Sequence, residues 1–88
     1  MPFKVIDIQP TPNPNAAKFV LDRQITTEPV SFLNPQQGEA HPIASQLFEI
    51  KGVISILILG DFVTVNKTPD AQWKQITPKV REILQNCD

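Results

Sequence analysis

Val53-Ile54-Ser55-Ile56-Leu57-Ile58-Leu59-Gly60-Asp61-Phe62-Val63-Thr64-Val65-Asn66-Lys67 is the stretch on which the fold turns. Val53 to Leu59 is apolar except at Ser55, which reads as a β-strand covered on both faces or along most of its length. Gly60-Asp61 supplies a two-residue turn with glycine first, as a type II′ turn requires, and Phe62 to Lys67 returns as the second strand of a hairpin.

Helical patterns flank the hairpin on both sides. Downstream, Thr68-Pro69-Asp70 offers an N-cap, a proline at the first helical position and an acid where the helix dipole favours negative charge. Trp73, Ile76, Val80, Ile83 and Leu84 then line one face of a helix suited to packing on a sheet. Pro78 falls inside that run, so a kink is expected, or a division with Thr77 as a second N-cap. A buried Trp73 ring implies that Trp73→Ala costs about 3–5 kcal/mol. Upstream, Pro42 is placed to open a helix. Ile43, Ala44, Leu47, Phe48 and Ile50 form its apolar stripe and Gly52 is a plausible C′ residue.

The first half is the irregular half, because six of the nine prolines precede residue 41. Phe3 to Ile8 is rich in β-branched and aromatic residues and reads as a strand with imperfectly sorted faces. Ala17 to Leu21 alternates cleanly as a half-buried strand. Between them, Thr11-Pro12-Asn13-Pro14-Asn15 is an ordered loop by its chemistry: prolines fix φ and asparagines cap or turn the backbone. Val30 to Leu33 is a short strand candidate between Pro29 and Pro35. The sum is an α+β, two-layer domain: a largely antiparallel β-sheet with two helices on one face and the other face partly exposed.

Length and charge narrow the function classes. With 88 residues the chain reads as a single domain over 1–88, whose folded surface should be roughly 5,200 Å². A net charge of −1, with acids and bases spread along the chain, gives no footprint for nucleic acid or an anionic membrane surface. No apolar stretch approaches the roughly 20 residues that span a bilayer, and Asp7 interrupts the N-terminal apolar run before signal-peptide length. A cytoplasmic monomer is expected. The single cysteine, Cys87, pairs with no second thiol in the chain and reads as an inert thiol near the terminus.

No catalytic constellation is legible, and no cofactor is implied by the residues. His41 precedes Pro42 and reads as an inefficient cap or a surface residue, lacking the partners that acid–base or metal work needs. Asp61 and Asp70 are turn and helix-start residues by position rather than a carboxylate pair. The candidate binding residues are Thr11, Pro12, Asn13, Pro14 and Asn15, with Lys18 beside them, since restricted backbones make a rigid surface with a low ordering cost. The loop is also readable as an over-determined connection between strands.

The string Thr11-Pro12-Asn13-Pro14-Asn15-Ala16-Ala17-Lys18-Phe19 closely resembles the opening motif of the N-terminal domain of Nfu/NifU-type iron–sulfur scaffold proteins. The segments Pro42-Ile43-Ala44, Leu47 to Val53 and Asp61 to Lys67, with Asp70 and Trp73, continue the resemblance over most of Pro10 to Leu84. It implies a compact α+β domain and an association with iron–sulfur cluster assembly or delivery. In full-length members the cluster ligands lie in a separate C-terminal domain with a Cys-x-x-Cys motif, which this sequence lacks, so no ligand or catalytic residue carries over. His41 stands where the family tends to have a small polar cap. The expected role is a non-enzymatic module that contacts protein partners, possible clients or assembly factors. The alternative is an adaptor or regulatory module unrelated to clusters, since one fold hosts many functions.

Overall fold

The computed structural model describes residues 3 to 86, and Cys87 lies outside them. Five strands, β1 (Val5–Pro10), β2 (Ala16–Leu21), β3 (Val30–Phe32), β4 (Val53–Leu59) and β5 (Phe62–Lys67), form one antiparallel sheet in the order β1-β2-β5-β4-β3. Helices α2 (Pro42–Leu47) and α3 (Trp73–Asn86) cover one face, and the single-turn α1 (Pro35–Gly38) joins β3 to α2. The accessible surface is 5310 Å², in line with the value expected from length.

The hairpin forms as its sequence requires. Leu59 pairs with Phe62, and Gly60 alone of the two turn residues has a positive φ, +59°, the pattern of a type II′ turn. The apolar run of β4 is not covered on both faces. A register irregularity between Val53 and Ser55 turns Val53, Ile56 and Ile58 inward, while Ile54 and Leu59 stay exposed. A second irregularity, between Val5 and Asp7, sorts β1. Val5 and Ile8 both face the core, opposite Leu21 and Phe19, although three positions separate them. The strand itself runs two residues later than the composition suggests, ending on Pro10, which an edge strand tolerates.

The helices depart from expectation at their ends. Thr68-Pro69-Asp70 forms a turn, closed by Ala71 N–H donating to the Thr68 carbonyl at 3.1 Å, and α3 starts only at Trp73. Gln72 takes the flanking role, its carbonyl accepting from Gln75 and Ile76 N–H. α3 then runs through Pro78 as one element. The donor that Pro78 lacks would have met the carbonyl of Lys74, an exposed residue, so the missing bond falls on the solvent side of the helix. α2 ends at Leu47, five residues before Gly52, so Gly52 is not its C′ residue. Gly52 has φ +98° and lies so close to the Thr68–Ala71 turn that a Cβ there would sit 2.6 Å from that of Ala71. α1 was not expected from the short-strand reading. Asn34 caps it through Gln37 N–H at 3.0 Å, and the Gln37 side chain accepts from Leu33 N–H at 2.8 Å, a variant of the reciprocal capping box.

His41 is the N-cap of α2: its Nδ1 accepts from Ile43 N–H and Ala44 N–H, each at 3.2 Å, and its ring packs on Phe32 with centroids 5.3 Å apart. A neutral ring is needed, since a protonated Nδ1 accepts nothing. Partial burial also lowers its pKa below the ordinary 6.5.

Both edges of the sheet are blunted. On β1 the Asp7 carboxylate accepts from Ile8 N–H at 2.9 Å, and Pro10 has no N–H to offer. β3 is three residues long and its exit is closed by the Leu33–Gln37 bond.

Two outcomes follow from these contacts. Because the folded-state pKa of His41 is depressed, its stabilising contribution is complete above pH 6.5 and declines as the pH falls through the folded value. Denaturant melts between pH 5 and 7.5 should show this slope in the wild type and lose it in His41→Asn, while His41→Ala costs about 1 kcal/mol at neutral pH. Gly52→Ala should cost at least about 2 kcal/mol in the same assay, combining positive φ with the Ala71 clash.

Candidate functional site

Thr11 Oγ1 organises the loop between β1 and β2. It accepts from Asn13 N–H at 3.1 Å and donates to the Asn13 carbonyl at 2.8 Å, with the Ala16 carbonyl at 3.2 Å. Asn13 Oδ1 accepts from Asn15 N–H at 2.9 Å, and the Asn13 carbonyl accepts from Ala16 N–H at 3.0 Å. These are the side-chain and backbone turns that Thr and Asn favour, and with Pro12 and Pro14 they fix the loop's shape from within.

Two residues hold it from beneath. Lys67 follows Val63 and Val65 on the inward row of β5 and is only 7% exposed. Its Nζ donates to Asn15 Oδ1 at 3.0 Å and to the Thr68 carbonyl at 3.2 Å, while its N–H donates to the Asn15 carbonyl at 2.8 Å. The ammonium also sits 5.7 Å from the Trp73 ring centroid, within cation–π range. Trp73 Nε1 donates to the Pro14 carbonyl at 3.1 Å and its ring tilts against Phe19 with centroids 6.4 Å apart. The ring is half-buried rather than fully enclosed, because one side of it walls a groove.

That groove, about 320 Å³, runs between β1, the loop and the start of α3. Ile8, Pro10, Pro14, Ala17, Trp73 and Thr77 are among its lining residues, and none of the lining residues carries a charge. It is suited to an apolar or neutral polar group, with shape doing the selecting.

The predicted site residues do not form one patch. Thr11, Asn13 and Pro14 line the groove, Pro12 stands exposed on the loop and Asn15 turns down to Lys67. Lys18 lies elsewhere: it pairs with Gln9 and Thr64 on the face away from the helices, its Nζ 4.1 Å from the Phe62 ring centroid. Strand alternation separates it from Ala17 and Phe19, its core-facing neighbours. Lys67 and Trp73 are the loop's supports that the sequence reading did not place beside it. Lys67 was findable, since continuing the inward Val63, Val65 alternation lands on it; the contact of Trp73 with Pro14 spans 59 positions and has no local signal.

Asp61 and Asp70 sit beyond opposite ends of β5 and cannot work as a pair. Asp70 lies in the Thr68–Ala71 turn, where a hydrogen bond from the Thr68 side chain holds its carboxyl below the ordinary value. His41 is committed to its cap. Among the described residues no three His, Cys, Asp or Glu side chains come together, and no helix is long and apolar enough to cross a membrane.

Comparison with known proteins agrees with this geometry. The family model described as "Scaffold protein Nfu/NifU N terminal" matches residues 6–87. The human mitochondrial NFU1 iron-sulfur cluster scaffold homolog is 35% identical over 80 residues, covering 89% of this chain and 32% of that protein. The uncharacterized protein YpgR of Bacillus subtilis (strain 168) is 32% identical over 80 residues, 90% of this chain and 21% of its own. The chain therefore spans about a fifth to a third of these curated relatives. Among solved structures, Staphylococcus aureus SAV1430 superposes with a TM-score of 0.76 at 30% identity, covering 91% of this chain and 96% of that one. A NifU-like protein from Saccharomyces cerevisiae gives 0.76 at 30% identity, covering 92% and 76%. Matched along nearly its full length by the family model and in fold by these structures, the chain belongs to the Nfu/NifU N-terminal domain family.

Proposed function

We propose that this domain is a non-enzymatic interaction module of iron–sulfur cluster assembly or delivery, which docks a protein partner on the Thr11–Asn15 loop and the neutral groove beside it. The observation that carries this reading is the loop's fixed shape, held internally by Thr11 and Asn13 and from below by Lys67 and Trp73. A surface already in its bound form forfeits little conformational entropy on association. The family membership supplies the setting, and one cysteine is too few to hold a cluster within these 88 residues. In this reading the domain works as a cytoplasmic monomer.

Three measurements test it. Anaerobic reconstitution with ferrous iron and sulfide should leave the purified protein colourless; a stoichiometric cluster absorbance abolished by Cys87→Ser would overturn the proposal. Affinity capture should recover cluster-assembly proteins with the wild type and lose them with Asn13→Ala, whereas consistent recovery of unrelated proteins only would favour a general adaptor. For the supports, Trp73→Phe keeps an aromatic ring, though a smaller one, and deletes the bond to Pro14, whose loss costs about 1 kcal/mol. Trp73→Ala should cost about 2–3 kcal/mol, below the range for a fully buried ring because one side faces the groove. Both should speed amide exchange at Asn15 and Ala16 before global unfolding does.

A further inference from the structure

We propose that the sheet face opposite the helices is a second docking surface, and that its occupant is an amphipathic helix of a partner protein whose apolar stripe carries a carboxylate for Lys18. The inference does not rest on the loop and groove, with which this face shares only Gln9 at the sheet edge. Strand register lays the face out in rows. One row runs Gln9, Lys18, Thr64, Leu57 and Ser31 across all five strands, and the next runs Asp7, Val20, Phe62 and Leu59. Val20, Phe62, Leu57 and Leu59 thus form a contiguous apolar patch, none of them fully buried. The Lys18 ammonium lies at its border against the Phe62 ring.

Charge selects the occupant. Among the described residues no carboxylate is within ion-pair distance of Lys18. The one acid in these rows, Asp7, is at the sheet edge and already accepts from Ile8 N–H and from the Gln9 side chain at 3.0 Å. A second copy packed face to face would bring another Lys18 and, as its one acid in these rows, an Asp7 whose two oxygens already accept hydrogen bonds, which makes a twofold contact a poor source of counter-charge. A partner with an acidic group inside an apolar surface does.

Backbone chemistry selects a helix. The strands beneath the patch spend their hydrogen bonds within the sheet, and both sheet edges are blunted as described above. A single segment laid on the face must satisfy its own backbone, which a helix does internally and a lone strand does not. Spacing agrees: Lys18 and Leu57 are two strands apart in one row, about 10 Å, close to the rise of about 10.5 Å over seven helical residues. A carboxylate on Lys18 and an apolar residue on Leu57 therefore share one helix face.

The probe is a pair of designed amphipathic helical peptides of about 16 residues, identical except for Glu or Lys at one position inside the apolar stripe, titrated into ¹⁵N-labelled protein at low salt. The expected result is chemical-shift change centred on Lys18, Val20, Leu57 and Thr64, with the Glu peptide bound about fivefold tighter than the Lys peptide. Lys18→Glu should reverse that preference, and Lys18→Gln, which adds no charge, should abolish it. Five results would overturn the proposal: binding by neither peptide, equal binding by both, a preference unmoved by either variant, shifts centred on the Trp73 indole, or self-association that covers the face in sedimentation equilibrium.

Discussion

Burial of one row of side chains sets the molecule's geometry. Ile8, Phe19, Val63, Ile58 and Val30 stand opposite one another across all five strands and face the helices. Phe19, Val63 and Ile58 have no exposed surface, and the helical ridge of Ile76, Val80 and Leu84 also lies in that core. Side chains on a strand alternate, so a slip of one residue in any pairing would turn this row to solvent and bring Lys18, Thr64 and Leu57 under the helices. Register is thereby fixed by apolar burial, and every other position in the sheet inherits its side from it.

Lys67 shows how far that inheritance reaches. Its inward position is not chosen by its charge; it follows from Val63 and Val65, four and two positions earlier. The stem lies on the apolar side and the ammonium emerges at the end of β5, where the loop between β1 and β2 supplies an oxygen from Asn15. A buried cation needs its donors satisfied, and neutral oxygens with an aromatic face do this without a second buried charge. The loop's position and the sheet's register are therefore one constraint.

What could be read in advance was what depends on short-range pattern. The Gly60 turn, the returning strand, the α3 stripe and the rigidity of Thr11 to Asn15 each rest on residues within a few positions of one another. Three kinds of feature were not legible. The irregularities in β1 and β4 break the period of two, so the mixed faces of Phe3 to Ile8 and the continuous apolar run of β4 looked ambiguous until their partners were known. Helix ends moved where tertiary contact outweighed local preference: Thr68-Pro69-Asp70 suits a helix start, yet Ala71 must pack against Gly52, and a tight turn achieves this. The third kind was the sidedness of the site. Thr11 to Asn15 and Lys18 are adjacent in sequence, but the strand that begins at Ala16 sends its side chains alternately to the two faces.

That sidedness bears on how a domain with few reactive groups can act. β2 carries both proposed surfaces, because Ala17 lines the groove while Lys18 and Val20 face the other way. The strand is central, paired to β1 on one side and β5 on the other, so its backbone is held along its length. Two partners bound on opposite sides of so stiff an element would be kept at a fixed separation without touching. Placing one macromolecule relative to another requires no proton transfer or coordinated metal from the domain itself. It requires a surface on each side and a core that does not yield, and the buried five-strand row supplies the second of these.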